Sequence, residues 1–185
     1  MENNVSLSRC LEQETGVNVF DCYQCGKCTA GCVLATEMEY PPSYIMRLLQ
    51  TKNTANDQRV LHSNAIWICL NCENCIARCP KEIDIPKAMD YLREQSRVQK
   101  CVNKQARSVV AFHSAFLDSV KYTGRLYEVG LVAGFKARTF RVVQDLNVAP
   151  GMYLKGKLNL LPERVKDPSK IKAIFKRTID NTNKK

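Results

Sequence analysis

Two cysteine runs constrain how this chain can fold more than any other feature. The stretch Cys69-Leu70-Asn71-Cys72-Glu73-Asn74-Cys75-Ile76-Ala77-Arg78-Cys79-Pro80 places four cysteines in eleven residues and closes on a proline. An earlier stretch repeats the spacing with Cys22, Cys25, Cys28 and Cys32. Both read C-x2-C-x2-C-x3-C, and together they hold eight of the ten cysteines. A secreted disulfide scaffold is one use for so many cysteines, but residues 1–20 are polar and acidic, with neither a basic nor an apolar leader segment. No run of about 18 apolar residues interrupts the chain, so no membrane span is expected. A reducing cytoplasm, where clustered cysteines signify metal rather than disulfides, fits this pattern.

Cysteines three residues apart let one tight loop wrap three corners of a cube, with the fourth cysteine directed away. C-x2-C-x2-C-x3-C is the run that holds [4Fe–4S] cubanes in bacterial ferredoxins, where the fourth cysteine ligates the other cluster of a two-cluster protein. The expected ligand sets therefore cross. Cys22, Cys25, Cys28 and Cys79 take one cubane, and Cys69, Cys72, Cys75 and Cys32 take the second. Structural zinc is the competing use of such cysteines, but zinc sites offer two separated C-x2-C pairs. Here each run carries a third cysteine at the same short spacing, and the pattern occurs twice.

Neighbouring residues bear on that chemistry in several ways. Gly26 and Gly31 allow backbone N–H groups to approach sulfur. Lys27 and Arg78 lie inside the runs and have two readings, a charge that raises cluster potentials or a solvated surface group. Trp67 and Ile66 stand just ahead of Cys69 and are read as a shield against water. Cys10 and Cys101, outside both runs, read as small buried hydrophobes. His62 and His113 are isolated and read as core histidines rather than ligands. There is no nucleophile–base constellation, no phosphate-binding glycine loop and no dinucleotide fingerprint, so no catalytic residue is assigned.

The fold expected is mainly α: an α-helical ferredoxin with two crossed cubane sites plus a helical C-terminal extension. Thirty-six residues separate Cys32 from Cys69, and they read as helix. Small bacterial ferredoxins keep their runs closer, in a β-hairpin sandwich. The periodicity predicts a helix over 5–15 stopped by Gly16, a short helical stretch over 33–39, and a helix opening at Pro42 with Ile45, Leu48 and Leu49 on one face. Residues 51–57 read as a polar loop and 58–63 as a further helical turn. Pro86 opens a helix carrying Met89 and Leu92. Val109, Phe112, His113, Phe116, Leu117 and Val120 form a 3.6-residue stripe, and Gly124 ends it. Further helices are expected over 125–140 and 171–175. The boundaries drawn are a ferredoxin domain over 1–100 and a helical extension with a basic tail over 101–185.

Charge is unevenly spread along the chain. The formal net charge is +10, yet residues 1–40 carry two basic and six acidic side chains, against eight and two in residues 164–185. A cubane with its four thiolates carries about −2, so two of them reduce the excess to about +6. A nucleic-acid partner is not expected.

Several segments resemble the small iron–sulfur subunit of the coenzyme B–coenzyme M heterodisulfide reductases of methanogens. They are Cys22-Tyr-Gln-Cys25-Gly-Lys-Cys28-Thr-Ala-Gly-Cys32, the helix from Pro42 to Leu49, and Asn64-Ala-Ile-Trp67-Ile-Cys69 leading into Cys79-Pro80. In the C-terminal half, Phe112-His113-Ser-Ala-Phe116-Leu117, Gly124-Arg125-Leu-Tyr127-Glu128 and Gly156-Lys157-Leu158 extend the likeness, from about residue 17 to 176. One departure is Val33, where related sequences have proline after the fourth cysteine. The resemblance implies an electron relay between two larger subunits of heterodisulfide reductase, one containing flavin and iron–sulfur clusters, the other catalytic. The catalytic one carries CCG motifs and reduces the CoM-S-S-CoB heterodisulfide in methanogenesis. A hydrogenase or formate dehydrogenase feeds the flavin-containing one. No adjacent cysteine pair occurs here, so the disulfide-splitting machinery is expected on the CCG-bearing partner.

The alternative is the iron–sulfur subunit of another anaerobic dehydrogenase complex. Succinate-type subunits add an N-terminal plant-type cluster domain, for which the 21 residues ahead of Cys22 leave no room. A free ferredoxin is small and acidic, whereas here about 85 residues follow residue 100. Residues from about 103 onward are accordingly expected to dock partner subunits.

Overall fold

A computed structural model describes residues 6–139, 151, 165 and 167–182. Among them all regular structure is helical, without a strand. The chain divides into two units, Met1–Ala106 and Arg107–Lys185.

The first unit begins with α1 (Leu7–Thr15), which buries Leu7 and Leu11 and ends at Gly16 with a left-handed φ of 74°. A 3-10 turn (Val19–Asp21) leads into the first cysteine run. Then come α2 (Lys27–Ala30), α3 (Pro42–Gln50), α4 (Thr54–Leu61), α5 (Ala65–Ile68), α6 (Asn74–Ala77) and α7 (Ile85–Val98). The face expected of α3 is buried at Ile45, Leu48 and Leu49, and Met46 joins it. α7 buries Met89 and Leu92. Its start is fixed by Asp84, whose Oδ1 accepts from the Lys87 N–H at 3.0 Å, the N-cap bond that satisfies an orphan donor of the first turn. These helices meet around Leu11, Val19, Ile45, Leu49, Val60, Leu61, Ile66, Met89 and Leu92, all buried.

Three local expectations give way to other structure. Residues 33–39 form successive turns rather than a helix. Two bonds there run three residues back, Ala35 N–H to Cys32 O and Glu37 N–H to Leu34 O, and one, Met38 N–H to Leu34 O, runs four back without being continued. The segment is tied at one end to a cysteine and at the other to Pro41-Pro42, which bars α conformation from the residue before it. Residues 51–57 are not all loop, because Asn53 accepts from Ala55 N–H at 2.8 Å and starts α4 at Thr54. His62 is exposed, with Nδ1 2.9 Å from the Gln58 carbonyl, not in the core.

Asp57, in the first turn of α4, ties that helix to α1. It is only 6% exposed, and Oδ2 accepts the N–H of Leu7 at 3.1 Å. A carboxylate on α4 thus caps the first turn of α1, fifty residues upstream, where Ser6 makes no side-chain cap. Burial pushes the Asp57 carboxyl above its ordinary range, and the Leu7 N–H offsets this only in part. A second buried tie joins Ser96 on α7 to the Leu61 carbonyl of α4 at 2.8 Å.

The second unit contains α8 (Arg107–Thr123), α9 (Glu128–Thr139) and α10 (Pro168–Thr182), with α8 packed against both others. Gly124 takes φ 79° at the turn out of α8. The next helix opens at Glu128 rather than 125, because Ser119 Oγ accepts the Tyr127 N–H at 2.8 Å and holds the intervening link as a turn. Arg138 pairs with Asp118 across α8 and α9. The α8 stripe is only partly covered: Phe112 meets Phe135 edge-on at 6.1 Å yet stays 44% exposed. His113 is exposed as well, so it is not a core histidine. The stretches around Gly156 and Pro162 lie outside the described residues. No helix among the described residues is long and apolar enough to cross a membrane.

Asp57→Ala should destabilise the first unit by about 1–3 kcal/mol, the cost of stranding a buried donor. The raised carboxyl means that the folded chain binds a proton there more tightly than the unfolded chain does. Stability from this residue therefore falls as pH rises through the carboxylate range. Asp57→Asn keeps the acceptor and should gain on the parent as pH rises from about 4 towards neutrality. Denaturation midpoints across that range check this; a gap constant with pH contradicts it.

Candidate metal centre

The two cysteine runs adopt the same backbone. In the first, Gln24 (φ 62°) and Gly26 (φ 76°) are left-handed on either side of Cys25. In the second, Asn71 (φ 51°) and Glu73 (φ 61°) flank Cys72 in the same way. A four-residue helix follows each pair, α2 carrying Cys28 and α6 carrying Cys75. Only Gly26 announces this conformation in the sequence. At Gln24 and Glu73 the side chain opposes it, by about 1–2 kcal/mol per residue, and the surroundings must hold it.

Those holding residues are ones that the motif alone does not reveal. At the first run Gln50, the last residue of α3, donates from Nε2 to the Val19 carbonyl at 2.8 Å and to the Cys22 carbonyl at 2.6 Å. Its Oε1 accepts from Gln24 Nε2 at 3.1 Å, and the same nitrogen reaches Cys22 Sγ at 3.4 Å. At the second run Arg93 of α7 donates from Nη2 to the Cys69 carbonyl and from Nε to the Ile66 carbonyl, both at 2.5 Å. Asp90 accepts from Arg93 Nη1 at 2.8 Å and from Asn71 Nδ2 at 2.8 and 2.9 Å. In each run, then, a helix side chain grips the carbonyl of the first cysteine, and the left-handed residue two positions on donates its side-chain amide, Gln24 to Gln50 and Asn71 to Asp90. Thr29 also bonds Ser43 at 2.7 Å, joining α2 to the start of α3.

The sulfurs gather in two groups. Cys32, Cys69, Cys72 and Cys75 line one cavity, walled by Leu34, Met38, Leu70, Ile85 and Met89. In the other group the Tyr23 hydroxyl lies within electrostatic range of Cys25, Cys79 and Cys22, and its desolvation, followed by these thiols, raises its pKa. Cys28 is buried and senses Cys22. Cys75 senses Cys28 as well as Cys69, which brings the groups within electrostatic range of each other. α2 and α6, the helices bearing Cys28 and Cys75, are in contact. Cys10 is half-buried near Tyr91, and Cys101 is buried with its Sγ 3.5 Å from the Ser96 carbonyl.

Burial and mutual repulsion govern the thiols. Burial raises Cys28, with Cys22 adding to it. Burial also raises Cys69, against the pull of the Asn71 N–H and the Arg93 cation. Cys75 is pushed up to about 11, first by burial and then by Cys69 and Cys28. Such a donor set accepts four thiolates only together with a cationic core, whose binding displaces the protons. The donors are all sulfur, which selects soft metals and iron–sulfur clusters. Among the described residues no three His, Cys, Asp or Glu side chains close around a point as a single ion requires. Four of the sulfurs line one cavity, the all-thiolate donor set that a cubane takes.

Comparison with known proteins agrees with the donor set. Residues 18–83 match the family model of the 4Fe-4S dicluster domain. The chain is 33% identical over 102 residues to an iron-sulfur subunit of the CoB–CoM heterodisulfide reductase of Methanopyrus kandleri, covering 55% of this chain and 52% of that protein. It is 37% identical over 75 residues to one subunit of the ferredoxin:CoB-CoM heterodisulfide reductase of Methanosarcina acetivorans, covering 40% and 29%. It is also 27% identical over 173 residues to the 8-methylmenaquinol:fumarate reductase iron-sulfur subunit of Wolinella succinogenes, covering 86% and 50%. The chain thus spans about half the length of the first and third of these relatives and less of the second. It is an iron–sulfur protein: a helical 4Fe-4S dicluster domain suited to two [4Fe–4S] clusters, with further helices C-terminal to it.

Arg93→Ala should strand the Ile66 and Cys69 carbonyls and release the second run, costing about 1.5–3 kcal/mol. In anaerobic protein the iron-linked visible absorbance should bleach faster on warming, with a lower melting midpoint. Parental bleaching and melting would show that Arg93 does not hold this loop.

Proposed function

We propose that this chain is the electron-relay subunit of a heterodisulfide reductase-like complex. It would pass electrons between a flavin- and iron–sulfur-containing partner and a catalytic partner that reduces the CoM-S-S-CoB heterodisulfide. The observation that carries the relay is the cavity at which Cys32, from the first run, meets Cys69, Cys72 and Cys75. It supports crossed ligation, with Cys22, Cys25, Cys28 and Cys79 holding the first cluster. When bound, the two clusters supply one-electron carriers at neighbouring sites. The chain's own residues fix the sulfurs, exclude water with Leu34, Met38 and Met89, and ration access through the exposed Cys25 and Cys72.

The partner assignment rests on the relatives named as heterodisulfide reductase subunits, on the cysteine runs and on the lack of an adjacent cysteine pair in the chain. In this reading residues 1–100 are the ferredoxin domain and residues 101–185 dock the flavin-containing and catalytic partners. The partly bare stripe of Val109, Phe112, Phe116 and Leu117 would be part of that surface. The complex would be cytoplasmic and draw electrons from a hydrogenase or formate dehydrogenase. A second reading has its own support. The fumarate reductase subunit aligns with 86% of the chain, well into its C-terminal half, which favours an iron–sulfur subunit of another anaerobic oxidoreductase.

Anaerobic purification of the native assembly separates the two. Copurifying flavin-containing and CCG-bearing subunits support the first reading, and a fumarate- or succinate-type flavoprotein supports the second. Cys79→Ser tests the ligand sets. Iron should fall from about eight to about four per chain, and the signal lost should be the one that Cys25→Ser also removes. Loss of the signal removed by Cys72→Ser would contradict the crossing.

A further inference from the structure

The repeat between the two runs makes Gly31 and Arg78 counterparts. Each follows its four-residue helix directly, and each stands immediately before the fourth cysteine of its run, Cys32 or Cys79. One counterpart has no side chain and the other has a long cationic one, and the two are fitted together. Arg78 crosses the Gly31 backbone so closely that a methyl group at Gly31 would occupy the space of Arg78 Cδ, Nε and Cζ. Backbone geometry does not explain the glycine. Gly31 has φ −97° and ψ 0°, open to any residue; a side chain there would instead push the arginine out of its place.

Among the described residues nothing neutralises the guanidinium seated there. Among the described residues Arg78 has no hydrogen-bond or ion-pair partner. Arg93 and Arg138, by contrast, are each paired with an aspartate. An exposed arginine that lies over the Gly31 backbone, with no carboxylate partner among the described residues, places a positive charge at the seam between α2 and α6. Those are the helices that carry Cys28 and Cys75, whose thiols already sense each other's charge.

We infer that Arg78 is a potential-setting residue: seated on Gly31 beside both fourth cysteines, its charge favours the reduced state at both sulfur sites. The inference rests on the crossed-cluster reading above. A cubane with its thiolates carries about −2 and reduction adds one more negative charge, so a nearby cation stabilises the reduced form more than the oxidised form. The cation belongs to the residue next to Cys79 and lies over the residue next to Cys32, so one substitution should move two potentials in the same direction. Because Arg78 is exposed, the effect should be screened by salt.

The test is an anaerobic redox titration of the full chain holding both clusters. Dithionite with mediators supplies the electrons, and EPR reads each cluster at low and at high ionic strength. Arg78→Gln should lower both midpoints, reducing each reduction equilibrium constant by about three- to tenfold, tenfold being 59 mV for a one-electron couple. Arg78→Lys should restore part of the loss. Gly31→Ala keeps the arginine but denies it its seat, and should shift both midpoints the same way. All the shifts should shrink with added salt. Unchanged midpoints in chains with parental iron and sulfide overturn the role of Arg78, as does a shift confined to one cluster. A parent chain that binds no iron and sulfide overturns instead the cluster assignment beneath it.

Discussion

Sulfurs that repel one another once ionised have to be kept close together and out of water, and the first unit is organised around that constraint. Cys28 is buried, and Cys75 is held up to about 11 by burial and by neighbouring thiols. A flexible chain would relieve such crowding by moving the sulfurs apart. Here each loop is pinned from a helix at the same place, the carbonyl of its first cysteine, by Gln50 at one run and Arg93 at the other. α3 and α7 in turn are fixed by the core through Ile45, Leu49, Met89 and Leu92. Hydrophobic packing thus sets the helices, the helices set two polar side chains, and those side chains set the sulfurs.

The cysteine spacing pointed to two cubanes, and the periodicity of Ile45, Leu48 and Leu49 or of Met89 and Leu92 announced which helix faces turn inward. The helix-face signal is local, and it carried through. What was hidden in the sequence depends on partners far away along the chain. Asp57 looks like a loop residue until it meets the N–H of Leu7. Gln50 and Arg93 look like solvated ends of amphipathic helices until they reach carbonyls 28 and 24 residues away. The left-handed Gln24 and Glu73 carry no glycine to mark them. His113 sits on an apolar stripe that the structure leaves partly bare, so the stripe misreported its burial.

The two units divide the chemistry unevenly. All eight cysteines of the runs, and the side chains that brace them, belong to the first. The second has amphipathic helices, an ion pair between Arg138 and Asp118, and exposed apolar residues on α8. In the proposed relay, the first would hold its carriers near one another and the second would dock the larger partners.

Anomalous diffraction at the iron edge, from anaerobic crystals of the loaded chain, bears most directly on the central claim. The account predicts two separate four-iron sites, with Cys32 Sγ bonded to the site held by Cys69, Cys72 and Cys75, and Cys79 Sγ bonded to the site held by Cys22, Cys25 and Cys28. Iron sites in which each run closes on its own four cysteines, or single metal ions in place of cubes, would contradict it.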